Sequence, residues 1–150
     1  MCAIVVGQFG KKRKPAEDNP SSTSNNDQAT IGGAPFILNG DGLQSRDFTY
    51  VGDAVDATLR AGVVLEVPLL LNIGGGEEAT MLQVISTIEE IAGTSLDIQI
   101  AGDGIGDVRR TAADTRVARH ALGWAPSTTL TEGLTNQHAW VQARSLVMAD

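Results

Sequence analysis

The side chains best suited to chemistry lie in two short charged stretches, each beside a glycine turn. In the first, Arg46 and Asp47 follow Asn39-Gly40-Asp41-Gly42; the second is Gly106-Asp107-Val108-Arg109-Arg110. The planar fork of an arginine matches phosphate oxygens, and a junction between loop and strand can hold such a side chain rigid. The competing reading of both stretches is a surface Arg–Asp pair of small energetic value. A dinucleotide cradle would need Gly-x-Gly-x-x-Gly between a strand and a helix, so that backbone amides approach a pyrophosphate. Three glycine loops start that pattern, but Ala79, Asp107 and Ser45 occupy the third-glycine positions. All three read as glycine turns without a ligand. Nucleophilic catalysis finds no support. Cys2 sits in an apolar terminal strand and reads as inert packing, His120 and His138 read as surface or packing residues, and Gly-x-Ser-x-Gly does not occur. The pairs Glu77-Glu78 and Glu89-Glu90 read as carboxylates at helix starts or on helix surfaces.

The elements that must position these residues alternate between strand and helix patterns. Cys2 to Val6 is short, apolar and β-branched, as a strand buried on both faces is. A polar run follows, from Lys11-Lys12-Arg13-Lys14 to about Gln28, and reads as a solvated linker. Pro35 to Leu38 is a short strand stopped by the Asn39–Gly42 turn, and Phe48 to Val51 is a second extended segment. Asp53 is expected to cap a helix from Ala54 to about Ala61, with Val55 and Leu59 on one face and Gly62 ending it. A buried strand is expected around Leu69–Ile73. Thr80-x-x-Gln83 makes a capping box ahead of a helix ending at Gly93. Leu96, Ile98 and Ile100 alternate as a half-buried strand. Asp114 is expected to cap a short helix closed by Gly123, and a last helix starts near Thr131. The resulting class is α/β.

Composition narrows the function further. The 150 residues carry a net charge of −7, which argues against nucleic acid or an anionic membrane surface as a partner. A hydrophobic fraction of 42% can fill a core. One cysteine and two histidines leave no disulfide and no metal-ligand set, and no apolar run reaches membrane-spanning length. The expected setting is cytoplasmic.

Read together, the two charged stretches resemble a known family. Gly40-Asp41-Gly42 through Gln44, Arg46-Asp47-Phe48, Tyr50-Val51 and Asp53 is similar to the Gly-Asp-Gly-x-Gln-x-Arg-Asp-Phe-x-Tyr-Val-x-Asp stretch of NAD-dependent sugar-nucleotide epimerases and dehydratases. These are extended short-chain dehydrogenases, typified by UDP-glucose 4-epimerase. Later features keep the family order: Asn72-Ile73-Gly74-Gly75-Gly76, then Gly106-Asp107-Val108-Arg109 with Ala113-Asp114, then Leu122-Gly123-Trp124-x-Pro126 with Leu130-x-Glu132-Gly133-Leu134. The resemblance runs from about Gly33 to Trp140. More weakly, Phe9-Gly10 through Pro15 resembles the family's Tyr-Gly-Pro-Arg-Gln segment.

The resemblance implies strands of a partial Rossmann-type sheet in residues 1–10, a polar linker over 11–31, and a small substrate domain over 32–150, with the N-terminal nucleotide-binding half missing. It implies that Arg46 contacts the diphosphate of a nucleoside-diphosphate sugar, that Ile37, Leu38 and Asn39 flank the base, and that Asp107 lines the same pocket. An arginine that helps hold the diphosphate in UDP-glucose 4-epimerases would fall at Gly104, and a strand asparagine at Gly7. Family members remove a hydride with a tyrosinate whose pKa is lowered by a lysine four residues on and by NAD. Here Tyr50 is the one tyrosine, Ala54 follows it at that spacing, and no lysine comes after Lys14. No catalytic residue and no NAD bound by this chain alone are therefore expected.

Three readings follow. The chain is an inactive, truncated relic of a sugar-nucleotide epimerase, or a non-catalytic module that binds the sugar nucleotide, or half of a split enzyme completed by an NAD-binding chain. Open sheet edges are expected to favour a partner chain or self-association.

Overall fold

The computed structural model describes residues 35–64, 70–102 and 108–147. In chain order these form β1 (Phe36–Asn39), β2 (Ser45–Phe48), α1 (Val51–Val63), β3 (Glu77–Thr80), α2 (Met81–Ala92), β4 (Ile98–Ala101), α3 (Arg116–Leu122) and α4 (Leu130–Val147). The class is α/β, as expected. β1 pairs in parallel with β4, from Phe36 opposite Ile98 to Asn39 opposite Ala101, while β2 pairs antiparallel with β3. The expected strand near residues 3–6 and the polar linker over 11–31 lie outside the described residues. Among the described residues no helix is long and apolar enough to cross a membrane.

α2 forms as its sequence dictates. The Thr80 hydroxyl accepts the Gln83 amide at 3.2 Å and the Gln83 side-chain oxygen accepts the Thr80 amide at 2.8 Å, a reciprocal cap that contributes about 1 kcal/mol. Gly93 ends the helix in the left-handed region at φ 66°, and its N–H donates to Glu89 O. Met81, Val84, Ile85 and Ile88 face inward onto Phe36 and Leu38 of β1, Phe48 of β2, and Leu130 and Leu134 of α4. Full burial of side chains such as Ile88 and Leu134 stabilises by roughly 1.5–3 kcal/mol each. A second core joins Ala57 of α1 to Ala118, Leu122 and Trp124.

Several expectations need correction. β2 ends at Phe48 and the backbone stays extended through Tyr50, but α1 begins at Val51 rather than Ala54, so Asp53 lies within its first turn and is buried rather than capping it. Val55 and Leu59 do share a face, but it is the outer one, 51% and 67% exposed, and the inner face is Asp53 and Ala57. The small Ala57 leaves room for the Trp124 ring that fills the second core. No strand forms over Leu70–Ile73: Leu70 is 80% exposed, while Leu71 and Ile73 pack on that core. A branched apolar run becomes a strand only when a ladder partner satisfies its backbone, and among the described residues none pairs with it. Glu77 and Glu78 stand in β3, not at a helix start. Ile100 is exposed, whereas Leu96, just ahead of β4, is buried. The N-cap of α3 is Thr115, although the Asp114 carboxylate does accept the Arg116 amide at 3.2 Å.

Candidate functional site

The turn after β1 brings the charged stretches together. Gly40 and Gly42 both sit at φ 73°, where a side chain would be strained, and the Asp41 carboxylate accepts the Leu43 amide at 3.0 Å. Gln44 then donates from its amide to Asn39 O at 2.9 Å, tying the start of β2 to the end of β1. Phe36 N donates to Asp97 O and Gly40 N to Ala101 O, so the even-numbered residues of β1 spend their backbone groups on β4. By the two-residue period of a strand, the backbone groups of Ile37 and Asn39 point to the opposite edge. Ile37 is half exposed, whereas the side chain of Leu38 is buried in the main core.

Arg46 lies on β2, partly buried. Its Nη1 donates to Ser45 O and to Val108 O, both at 2.8 Å, so two carbonyls from separate segments orient the guanidinium. The neighbouring chain runs alongside: Ser45 N donates to Arg109 O at 2.8 Å, and Thr111 N to Ser45 O at 3.2 Å. Arg46 and Asp47 do not form the surface pair considered from sequence. Asp47 turns inward and accepts the amides of Gly75 and Ala113. Gly74 packs so closely there that a Cβ would sit 2.7 Å from the Ala113 methyl. Arg119 closes the same corner, donating from Nη2 to Gly75 O at 3.3 Å.

The outer charges pair with one another. Arg109 holds Asp41 at 2.6 Å, and Arg110 forms a two-pronged bond to Glu78 at 2.7 and 2.8 Å. Arg110 and the Ser45 hydroxyl together lower the Glu78 pKa to about 2, and Arg109 lowers that of Asp41. Asp107, the remaining expected pocket residue, lies outside the described residues. The Gln44 side chain thus links the strand that carries Arg46 to the end of β1, where Ile37 and Asn39 stand. Sequence reasoning missed the buried role of Asp47, whose two amide donors, Gly75 and Ala113, lie 28 and 66 residues away in the chain. It also missed Glu77, whose carboxylate accepts the Leu130 amide at 3.0 Å at the start of α4. Among the described residues no cluster of His, Cys, Asp or Glu could hold a metal ion.

The model of the NAD-dependent epimerase/dehydratase family matches residues 1–74. A UDP-glucose epimerase of Bacillus subtilis strain 168 is 39% identical over 113 residues, which is 73% of this chain and 35% of that protein. The UDP-glucose 4-epimerase of Mycolicibacterium smegmatis is 33% identical over 107 residues, 71% of this chain and 34% of the relative. The chain belongs to the NAD-dependent epimerase/dehydratase family. Solved members share its fold: UDP-glucuronic acid 4-epimerase from Bacillus cereus, in complex with UDP-glucuronic acid and NAD, superposes with a TM-score of 0.77 at 29% identity. That superposition covers 82% of this chain and 40% of the solved one. This epimerase/dehydratase chain therefore spans about a third of the length of the curated relatives it matches. In the epimerase/dehydratase setting, the Arg46-Asp47-Phe48 stretch divides its labour: Arg46 stays partly accessible, while Asp47 and Phe48 are buried to anchor it.

Proposed function

We propose that this chain is the nucleoside-diphosphate-sugar-binding part of a UDP-sugar epimerase and has no turnover by itself. The observation that carries the reading is the pair of 2.8 Å bonds from Arg46 to Ser45 O and Val108 O, which preset a guanidinium on the strand that Gln44 ties to the end of β1. A fork fixed in this way suits a diphosphate. The outward backbone groups of Ile37 and Asn39 offer donors and acceptors of the kind a nucleobase edge requires, the Asn39 carbonyl through the lone pair that Gln44 leaves, with buried Leu38 anchoring the strand between them. Asp107 would line the same pocket.

Lack of turnover follows from the residues present. Hydride removal from a sugar hydroxyl requires a base, and Tyr50 has Ala54 where the family lysine belongs. NAD would have to be held by a partner. A cytosolic setting fits a chain with a single cysteine.

The test is a titration with UDP-glucose followed by calorimetry. Saturable binding that weakens about tenfold or more in Arg46→Ala is the expected result. No binding at millimolar ligand would refute it. NADH absorbance with UDP-glucose and NAD should stay flat.

A second reading has its own support. Val55, Leu59 and Val63 lie four residues apart on α1 and are 51%, 67% and 80% exposed, an apolar stripe suited to an NAD-binding partner chain. Co-expression with such a chain should then yield epimerase activity that neither has alone.

A further inference from the structure

We propose that the groove between Tyr50 and the first turns of α4 binds a neutral glycosyl unit. This inference goes beyond the sugar-nucleotide reading and does not rest on it. The groove encloses about 490 Å³ and is lined by Tyr50, Ser127, Thr128, Thr131, Glu132 and Thr135, among others. That volume falls within the range typical of small-ligand sites.

The walls are built rather than incidental. The Tyr50 ring lies against two glycines: a Cβ on Gly52 would come within 2.9 Å of it, and one on Gly133 within 3.3 Å. Larger residues at either position would push the ring out of place. Buried Asp53 accepts Ser127 N at 3.2 Å, Ser127 Oγ at 3.0 Å and Thr128 N at 3.1 Å, which fixes the facing wall. Glu132 is held in turn, because Thr129 donates to its carboxylate from N at 2.9 Å and from Oγ1 at 2.8 Å.

Chemistry then selects the ligand. An aromatic side chain bordered by hydroxyls and a carboxylate matches a pyranose, whose C–H face packs on the ring while its hydroxyls donate to Ser127 Oγ and Thr135 Oγ1, which themselves donate to Asp53 and to Thr131 O. Among the described residues the lining holds no cationic side chain, and the Glu132 carboxylate opposes a phosphate. A neutral glycosyl ring satisfies both conditions.

The experiment uses the whole ¹⁵N-labelled chain and methyl β-D-glucopyranoside, a probe with no phosphate. Saturable amide shifts at Thr128, Thr131 and Thr135 are expected. Thr135→Val, an isosteric change at an exposed position, should weaken binding about fivefold, and Tyr50→Leu should abolish it. No saturable shift at tens of millimolar, equal shifts from open-chain sorbitol, or unchanged affinity in Thr135→Val would each overturn the proposal. UDP, which carries the diphosphate but no glycosyl unit, is titrated separately and reports on the Arg46 reading, so the two can fail independently.

Discussion

The Asp47 carboxylate straddles the Gly75 amide, accepting its one N–H on both oxygens at 2.9 and 2.8 Å, and one of those oxygens also takes the Ala113 amide at 3.0 Å. A strand, a glycine loop and the segment ahead of α3 thus meet on one buried side chain. Its neighbour Arg46 is aimed by the same strand, so loss of Asp47 disturbs the candidate site through the backbone.

Asp47→Ala should destabilise the chain by about 2 kcal/mol, because two part-buried amides lose their acceptor. Asp47→Asn keeps one acceptor oxygen and should cost about half as much. Urea denaturation measures both, and a midpoint for Asp47→Ala equal to that of the parent would show that the carboxylate is dispensable.

Two glycines separate space from conformation. At Gly76 a Cβ would collide with the Phe48 carbonyl oxygen, and backbone on both sides leaves little room to yield. Gly76→Ala should therefore cost about 2 kcal/mol or more. Gly62, inside α1, has nothing within 4 Å of the position a Cβ would take. Gly62→Ala should stabilise by about 0.5–1 kcal/mol, since it removes unfolded-chain entropy without a clash. Thermal melts of the pair should move in opposite directions.

Asp53 is the clasp between α1 and the start of α4. Its carboxylate holds Ser127 and Thr128, and its carbonyl accepts the Trp124 indole N–H at 3.1 Å. Asp53→Ala should cost about 2–3 kcal/mol and shift Trp124 emission to the red as water reaches the second core. Emission that stays at the parent wavelength would show that the ring is held by packing alone.

Acid should break two ion pairs only at low pH. The Arg110 guanidinium and the Ser45 hydroxyl bring Glu78 from 4.5 to about 2, and Arg116 brings Asp114 from 3.8 to about 2. Both folded pKa values lie below the unfolded ones, so the stabilisation is fully present above the unfolded values. It is lost as pH falls through about 2. Both groups are exposed, so the effect on stability is small. Carboxyl ¹³C titration should find both groups ionised at pH 3, and midpoints near 4 would refute the pairing.

The composition and local pattern of this chain determined its class, the Thr80–Gln83 cap, the Gly93 and Gly123 helix ends, and the place of Arg46 after a glycine turn. These features depend on neighbours in sequence, which is why spacing alone reveals them. Tertiary structure decided the rest. Asp53 and Asp47 look like surface or capping carboxylates until amides more than twenty residues away converge on them. Leu70 to Ile73 has a strand's composition, but a ladder needs a partner at a distance in the chain. The inner face of α1 was set by what packs against it: beside Trp124 a small Ala57 is accommodated, and Val55 and Leu59 turn outward. Periodicity can show that a helix has two faces. Only packing chooses which of them is buried.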